Sequence, residues 1–459
     1  MLYRKFTSFI ERFLKTESHK ILLVNGARQV GKSYLIRYVG SRLFTNFVEI
    51  NLKEDKEGAR IFADVHSVDD FYLQLGVVAG MHLGTFEDTL VFLDEIQSYP
   101  HLMTILKFLN EDGKYRYIAS GSELGVALSR TPSVPLGSIA IEQMYPLDFE
   151  EFLLAMGCGQ STINGVREHF IKKKPLNDAL HNYMLRQFKL YLIVGGMPDA
   201  VNKFIDTRNI VVVRNIQQDI YDLYKIDASQ YDNENKLVIR KIYDMVPSNM
   251  ENKKKRIVVK NIERTSSHKQ FSDYADEFEY LINSGVVLSV QSISNPKFPL
   301  KESESKNLLK LYLSDVGILT NILYKTNINA ILGEENSVNL GSVYESVVAQ
   351  ELHAHGFDLH YYDNKKHGEV DYLIDDYTSL SILPIEVKSG KDYKIHSALD
   401  YFLSTAEYHV NNAIVFSNER DVFKENGVDY MPIYYVMFLK ENNNEELIIP
   451  EIILPQEVE

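Results

Sequence analysis

The chain is short of the features that would place it at once. It has a single cysteine, Cys158. One thiol excludes a disulfide within the chain and a zinc site of clustered thiolates, and it suits a reducing compartment. No uninterrupted apolar run approaches the roughly 18 residues of a membrane span. The opening Met1-Leu2-Tyr3-Arg4-Lys5 runs into Glu11, Arg12 and Lys15, so no signal-peptide core is expected. Internal repeats and low-complexity tracts are lacking. So is net positive charge: the formal net charge is −14. That excludes a general polyanion binder and leaves any nucleic-acid contact to a local basic patch. The expectation is a cytoplasmic protein that does not touch membrane.

What remains is an ordinary globular composition, 45% hydrophobic and 24% charged, so a packed core is expected. With 459 residues, two to four domains are expected. One stretch organises the first of them. Gly26-Ala27-Arg28-Gln29-Val30-Gly31-Lys32-Ser33 fits G-x-x-x-x-G-K-[ST], the phosphate-binding P-loop. Ile21-Leu22-Leu23-Val24 before it reads as a short buried strand, and Tyr34-Leu35-Ile36-Arg37-Tyr38 after it as a helix. Glycines let the backbone turn tightly and present N–H groups to phosphate oxygens. The helix that starts there aims its positive end at the anion. Lys32 is placed to reach the β- and γ-phosphates and the Ser33 hydroxyl to hold Mg²⁺.

Phe6, Ile10, Phe13 and Leu14 recur at helical spacing before the first strand. Phe47 to Asn51 reads as a second strand. Thr89-Leu90-Val91-Phe92-Leu93-Asp94-Glu95 is an apolar strand ending in two carboxylates, the Walker B pattern, and its unbroken apolar character suits a buried parallel strand. Asp94 is expected to hold Mg²⁺ through water and Glu95 to orient and polarise the attacking water. Tyr115 to Ala119 is a further strand, ending in Ser120-Gly121-Ser122.

At this point the chain resembles the AAA+ superfamily, in which a polar residue at that strand end contacts the γ-phosphate. The resemblance implies this role for Ser120 or Ser122; a plain serine-glycine turn is the other reading. More narrowly, it resembles a prokaryotic AAA+ group with a C-terminal domain of uncharacterised function. The shared stretches are Gly26 to Lys32, Asp94-Glu95-Ile96-Gln97, and Tyr145-Pro146-Leu147-Asp148-Phe149-Glu150-Glu151-Phe152-Leu153. Members carry Gly-Arg shortly before the last of these, whereas this chain has Gly137-Ser138. If that arginine acts on the transition state, its loss predicts slow hydrolysis. Arg130 and Arg116 are the candidate substitutes.

Gly157 to Asn164 is a polar break, followed by a helical stretch from His181 to Val194. Gly195-Gly196-Met197-Pro198 is similar to the Gly-x-Pro module of STAND-type signalling ATPases, which implies that Pro198 packs near adenine. The other reading is a glycine helix cap with proline just after it. A second helix carries Ile210, Val213, Ile216, Ile220 and Leu223 on one face, and Arg214 on it is a candidate nucleotide-sensing arginine. Helices at 237–245 and 271–281, then strands at 285–290 and 310–313, follow winged helix-turn-helix order. Asp273, Asp276, Glu277 and Glu279 on the second helix oppose phosphate, so a protein contact is favoured over a DNA reader. Lys253-Lys254-Lys255-Arg256 is a phosphate clamp or a solvated loop.

The last segment places Glu345 on an amphipathic helix, then Asp371 and Glu386-Val387-Lys388 on strands. Period two puts Glu386 and Lys388 on one face. The order Glu…Asp…Glu-x-Lys resembles the PD-(D/E)xK nuclease core. That implies Mg²⁺ shared by Asp371 and Glu386, with Glu345 near and Lys388 on the water. The fold expected is α/β. Residues 1–155 form an AAA+ P-loop core on a parallel sheet, 156–230 a helical lid, 231–334 a winged helix and 335–459 a restriction-endonuclease-like α/β domain. The function expected is an ATPase using ATP or ADP with Mg²⁺ and coupled to a nuclease-like domain. A nucleotide-gated protein-interaction switch that cuts nothing is the alternative. Nucleic acid through the C-terminal half, a protein partner through the winged helix and self-association are the partner classes left open.

Overall fold

The computed structural model describes residues 2–16, 20–80, 83–122, 124, 137–231, 236–250, 257, 262, 270–332, 340–364 and 366–440. The first sheet is built from β1 (Ile21–Asn25), β2 (Asn46–Asn51), β3 (Thr89–Asp94), β4 (Arg116–Gly121) and β5 (Ile139–Gln143). All its pairings are parallel, in the order β2-β3-β4-β1-β5. β1 and β3 are buried along their whole length, which is why their sequences run apolar without alternation. Successive residues still face opposite ways. Leu22, Val24, Leu90 and Phe92 pack with the helices Lys5–Lys15 and Lys32–Leu43. Leu23, Val91 and Leu93 pack with Val68–Ala79 and Pro100–Asp112 on the other side. β4 lies between the P-loop strand and the Walker B strand, so the chemistry-bearing ends of all three meet at one edge, where ligands of open parallel sheets sit.

Helices Phe149–Ala155, Gln160–Ile171, Asp178–Val194, Pro198–Thr207, Ile210–Tyr231 and Lys236–Met250 follow. The second sheet then comprises β6 (Val287–Ile293), β7 (Ser305–Leu313), β8 (His360–Asn364), β9 (Gly368–Asp376), β10 (Ser381–Val387), β11 (Ala413–Ser417), β12 (Phe423–Glu425) and β13 (Val428–Pro432). Its order is β12-β13-β11-β10-β9-β8-β6-β7, with parallel and antiparallel pairs. β6 and β7 form the antiparallel hairpin expected of a wing. However, β6 also pairs in parallel with β8, so one sheet crosses the boundary expected at residue 334. The helix expected over 271–281 is a 3₁₀ turn, Phe271–Tyr274, followed by the helix Ala275–Asn283. The basic run 253–256 lies outside the described residues.

The Tyr145-to-Leu153 stretch ties these parts together. Asp148 caps the helix Phe149–Ala155 in a capping box with Glu151, satisfying two otherwise unpaired amides. The Glu151 carboxylate takes hydrogen bonds from Arg4 Nε (3.1 Å) and the Lys5 backbone N–H (2.6 Å). Lys5 Nζ lies 2.5 Å from Asp148 and 2.8 Å from Glu150. Burial alone would push the Asp148 carboxyl up; Lys5 and His355 hold it well below the usual carboxylate range. The Phe149 N–H donates to Glu351 on the helix Gly341–Ala354 (2.8 Å), and the Leu147 N–H to the Gly196 carbonyl (2.8 Å). Gly196 N–H in turn donates to the buried Asp315 (2.6 Å). One hydrophobic cluster runs from Leu22 and Val24 through Phe149, Phe188 and Tyr191 to Tyr344 and Tyr372.

Phe188 is fully buried, with ring centroids 5.1 Å from Phe149 and 6.0 Å from Tyr344. Phe188→Ala therefore removes packing shared by both halves. It is expected to cost about 3–5 kcal/mol, as other phenylalanine truncations in cores do. Chemical denaturation checks this; a loss below about 1 kcal/mol would mean that the halves are not packed through this ring.

Candidate functional site

The P-loop turns where β5 crowds it. A Cβ on Gly26 would lie 2.3 Å from the Met144 carbonyl oxygen, and its φ is +150°, so only glycine fits. Gly31, at φ +97°, is the N-cap of the helix Lys32–Leu43, which starts with its free amides facing the loop. Ala27 and Val30 point into the core, and the Val30 carbonyl accepts a hydrogen bond from Arg4 (3.0 Å). Gln29 takes a positive φ of 63°.

Lys32 is buried, and its ammonium donates to the carbonyls of Gly26 (2.8 Å) and Ala27 (2.9 Å). Burial pulls its pKa down to about 8; Glu95 and Asp94 oppose the shift and Arg28 adds to it. Ser33 Oγ donates to Asp94 Oδ2 (2.9 Å), and the Ser120 hydroxyl donates to the other oxygen of the same carboxylate. Glu95 follows immediately after β3 in a left-handed conformation, φ 56°, with Gln97 Nε2 donating to its carboxylate (2.5 Å). Ser122 does not join Asp94. Its hydroxyl accepts from Arg28 Nε (3.4 Å), while Arg28 Nη1 pairs with Asp227.

On the other side of the loop lies a cavity of about 350 Å³, lined by Leu2, Arg4, Gln29, Gly31, Tyr34, Leu35, Pro198, Asp199 and Asn202. Pro198 sits where the helix-cap reading of its motif puts it. It opens the helix Pro198–Thr207, directly after Gly195 caps the helix before it, and it forms a wall of this cavity.

Two of the candidate arginines lie away from the P-loop. Arg116 starts β4 at the sheet edge away from the P-loop, with Nη1 on the Thr16 carbonyl (3.2 Å) and its guanidinium over the Phe86 ring. Ser138 lies at that same edge, its carbonyl accepting from the Ile21 N–H at the start of β1 (2.9 Å). Arg214 is buried elsewhere, its Nη1 within 3.1 Å of the Ile193 and Gly317 carbonyls, Gln217 and Thr320. It ties the C-terminal end of the helix Asp178–Val194 to the first turn of the helix Val316–Tyr324. Arg130 lies outside the described residues.

Residues 18–153 match the AAA domain family. Downstream of this AAA domain, residues 185–329 and 340–436 match two domains of unknown function, DUF8612 and DUF4143. No curated protein matches the chain. Among solved structures, the Walker-type ATPase paby2304 of Pyrococcus abyssi aligns at 14% identity, covering 70% of this chain and 95% of that one, with a TM-score of 0.43. The Orc1 protein of Aeropyrum pernix in complex with DNA aligns at 14% identity over 72% and 92%, TM-score 0.30. AMPPCP-bound DnaA from Aquifex aeolicus aligns at 11% over 60% and 86%, TM-score 0.27. Scores at this level mark partial overlap, and nothing about activity passes from those proteins to this one. The AAA domain itself has the parallel P-loop ATPase architecture.

The C-terminal acidic residues also converge. β9 and β10 pair antiparallel with Tyr372 opposite Ile385, which sets Asp371 beside Glu386. The Val387 N–H donates to Asp371 (2.9 Å), and Lys388 Nζ lies 2.8 Å from Glu386. Glu345 is on the neighbouring helix, its backbone carbonyl accepting from the Tyr372 hydroxyl (2.7 Å). Burial, and then the Asp371 charge, push the Glu386 carboxyl up to about 8. Among the described residues no three His, Cys, Asp or Glu side chains form a ready metal cage.

One member of this group was not foreseen. Lys310 of β7 is 0% exposed, pairs with Glu369 and lies under the Tyr361 ring. Burial works against its charge, and Tyr312, Glu369, Glu345 and Asp371 more than offset it. In the sequence it is one lysine between leucines, a pattern with no signal of its own. Among the described residues no helix is long and apolar enough to cross a membrane.

The raised Glu386 pKa gives a pH test. The folded chain holds a proton that the unfolded chain releases near pH 4.5, so stability from this group is full below that value and drains away up to about pH 8. Glu386→Gln is expected to melt higher than wild type at pH 8–9 and to lose that advantage near pH 5. A pH-independent difference in melting temperature rejects the raised pKa.

Proposed function

We propose that the AAA domain binds ATP with Mg²⁺ and hydrolyses it slowly, and that its nucleotide state acts on the C-terminal half. The observation that carries this reading is the meeting of Lys32, Ser33, Asp94 and Ser120 at one sheet edge, beside a cavity large enough for a base and ribose. In this reading the base and ribose enter between Tyr34, Leu35 and Pro198. The phosphates lie over Gly26 to Ser33, and the Lys32 ammonium turns from the two carbonyls it holds to the β- and γ-phosphates. Ser33 and Asp94 fit Mg²⁺, since a hydroxyl and a carboxylate already share one hydrogen bond there; the ion offsets phosphate charge. Glu95, steadied by Gln97, orients the water and takes its proton.

For the C-terminal half we propose a phosphodiester nuclease site of Glu345, Asp371, Glu386 and Lys388, with nucleic acid as its partner. The support is the side-by-side register of Asp371 and Glu386, with Lys388 at bonding distance. Adjacent carboxylates, with the charge of Glu386 resisted by burial and by Asp371, are the donor set that a divalent cation relieves. The second reading is a nucleotide-gated switch that engages a protein and cuts nothing. It is favoured by the packing of the helix Ile210–Tyr231 on the P-loop, where the Tyr224 hydroxyl donates to the Arg28 carbonyl (2.8 Å), and by the exposed acids Asp276 and Glu279.

Lys32→Ala is expected to abolish ATP and ADP binding in calorimetry. Glu95→Gln is expected to keep binding while turnover falls about 100-fold or more; normal hydrolysis by that variant removes Glu95 as the base. With Mn²⁺ or Mg²⁺ and labelled DNA and RNA, Lys388→Ala is expected to lose any cutting seen with wild type. Cutting that survives the substitution places the nuclease elsewhere, and no cutting by either chain in any nucleotide state favours the switch.

A further inference from the structure

The AAA domain faces an arginine deficit at its phosphates. Ser138 and Arg116 both lie at the far sheet edge, and Arg214 is buried elsewhere. One guanidinium is nevertheless within the site. Arg28 is the third residue of the P-loop, on the side away from the Pro198 cavity. Its Nε reaches Ser122 at the end of β4, and its charge is close enough to act on the Lys32 ammonium. A nucleotide with its base in the cavity and its phosphates along Gly31, Lys32 and Ser33 brings its terminal phosphate towards Ser120, Ser122 and Arg28. Arg28 already holds an anion there, the carboxylate of Asp227.

Asp227 is carried on the helix Ile210–Tyr231, and its position is supported. The Tyr224 hydroxyl on that helix donates to the Arg28 carbonyl, and the Tyr280 hydroxyl donates to the Asp227 carbonyl (3.2 Å). The turn after the helix Ala275–Asn283 presses in beside them. A Cβ on Gly285 would lie 3.0 Å from the Ala27 nitrogen, and Asn25 Nδ2 reaches the Asn283 carbonyl (3.4 Å). Arg28, Ser122, Tyr224, Asp227, Tyr280, Ser284 and Val286 together line a small recess.

We propose that Arg28 is the arginine that stabilises the transferring phosphoryl group, supplied from within the P-loop itself, and that Asp227 holds it in reserve until a γ-phosphate competes for it. This rests on the reading of the AAA domain as an ATP site. In the step, a water oxygen attacks the γ-phosphorus and the bond to the β–γ bridging oxygen breaks. ADP leaves with that electron pair, and the water's proton passes to Glu95. Arg28 faces the γ-phosphoryl oxygens and offsets the charge that spreads over them, the role an arginine finger plays when it comes from elsewhere. The guanidinium fork suits this better than an ammonium would, since it can bond two oxygens at once.

The test uses the full chain, with labelled ATP in single turnover and calorimetry for ATP and ADP. Arg28→Ala is expected to slow cleavage about 100-fold or more and to erase any preference for ATP over ADP, while ADP affinity stays within about threefold. Arg28→Lys, which keeps the charge and guards against a folding artefact, is expected to fall between. Asp227→Asn is expected to raise the cleavage rate and the preference for ATP, because the competing carboxylate is gone. Wild-type cleavage with Arg28→Ala at the same rate overturns the proposal and leaves the ATP site standing. Parallel loss of ADP and ATP binding in Arg28→Ala also overturns it, by making Arg28 a structural part of the loop. A wild-type chain that binds neither nucleotide overturns the ATP site and the role of Arg28 together.

Discussion

Three carboxylates in one helical turn, Asp148, Glu150 and Glu151, are buried together, and much of the molecule is arranged to make that tolerable. Isolated charges of this kind are expensive away from water. Here each is met by a group from a different part of the chain: Arg4 and Lys5 from the start of the first helix, Arg167 from the helix Gln160–Ile171 (2.5 Å to Glu150) and His355 from the C-terminal half (3.5 Å to Asp148). The cluster therefore works as a joint. It fixes the N-terminus beside the P-loop, since Arg4 also serves the Val30 carbonyl. It also fixes the helix that carries Glu345, since Glu351 on that helix serves the Phe149 amide.

This joint gives a physical route between the two candidate sites. The helix Gly341–Ala354 touches the AAA domain at Glu351 and the acidic site at Glu345, and a helix transmits displacement along its axis with little bending over such a length. The P-loop has its own contacts to the middle of the chain through Tyr224, Asp227 and Gly285. Coupling between sites needs an element with two arrangements that both sites bias. The Arg28–Asp227 pair would be such an element under the role proposed for Arg28, because a phosphate that draws the guanidinium towards itself weakens its hold on the carboxylate.

The elements that were legible in the sequence are those with a strong local pattern. β1 and β3 are continuous apolar runs that end in loop glycines or acids, and both stand where the pattern puts them. The facing of Asp371 and Glu386 follows from period two and a short connection. What was not legible depends on distance along the chain. Arg28 and Asp227 are separated by 199 positions, and nothing at either residue points to the other. β6 reads as a strand, but its partner β8 lies beyond several helices, so the hairpin looked like a closed wing. The place of Arg116 at the start of β4, at the sheet end away from the P-loop, follows from the strand's direction and not from its charge. Lys310 shows the limit most plainly, since a lysine inside a strand is ordinarily a solvated residue and here the sheet buries it.

The bond from the Phe149 amide to Glu351 spans 202 positions, and this bears on how the protein is made. While the chain emerges from the ribosome, the five strands of the first sheet are complete by Gln143, yet the acidic turn just after them lacks its later partners. Until Glu351 and His355 appear, Phe149 lacks the acceptor for its amide and Asp148 lacks its imidazole neighbour. Nascent chains of this protein thus pass through a long interval in which the first sheet is finished but its exit is unsealed, the kind of stage at which large proteins expose apolar surface and depend on chaperones. A message truncated after residue 153 but before that helix yields an AAA domain that is whole in sequence and incomplete in its packing.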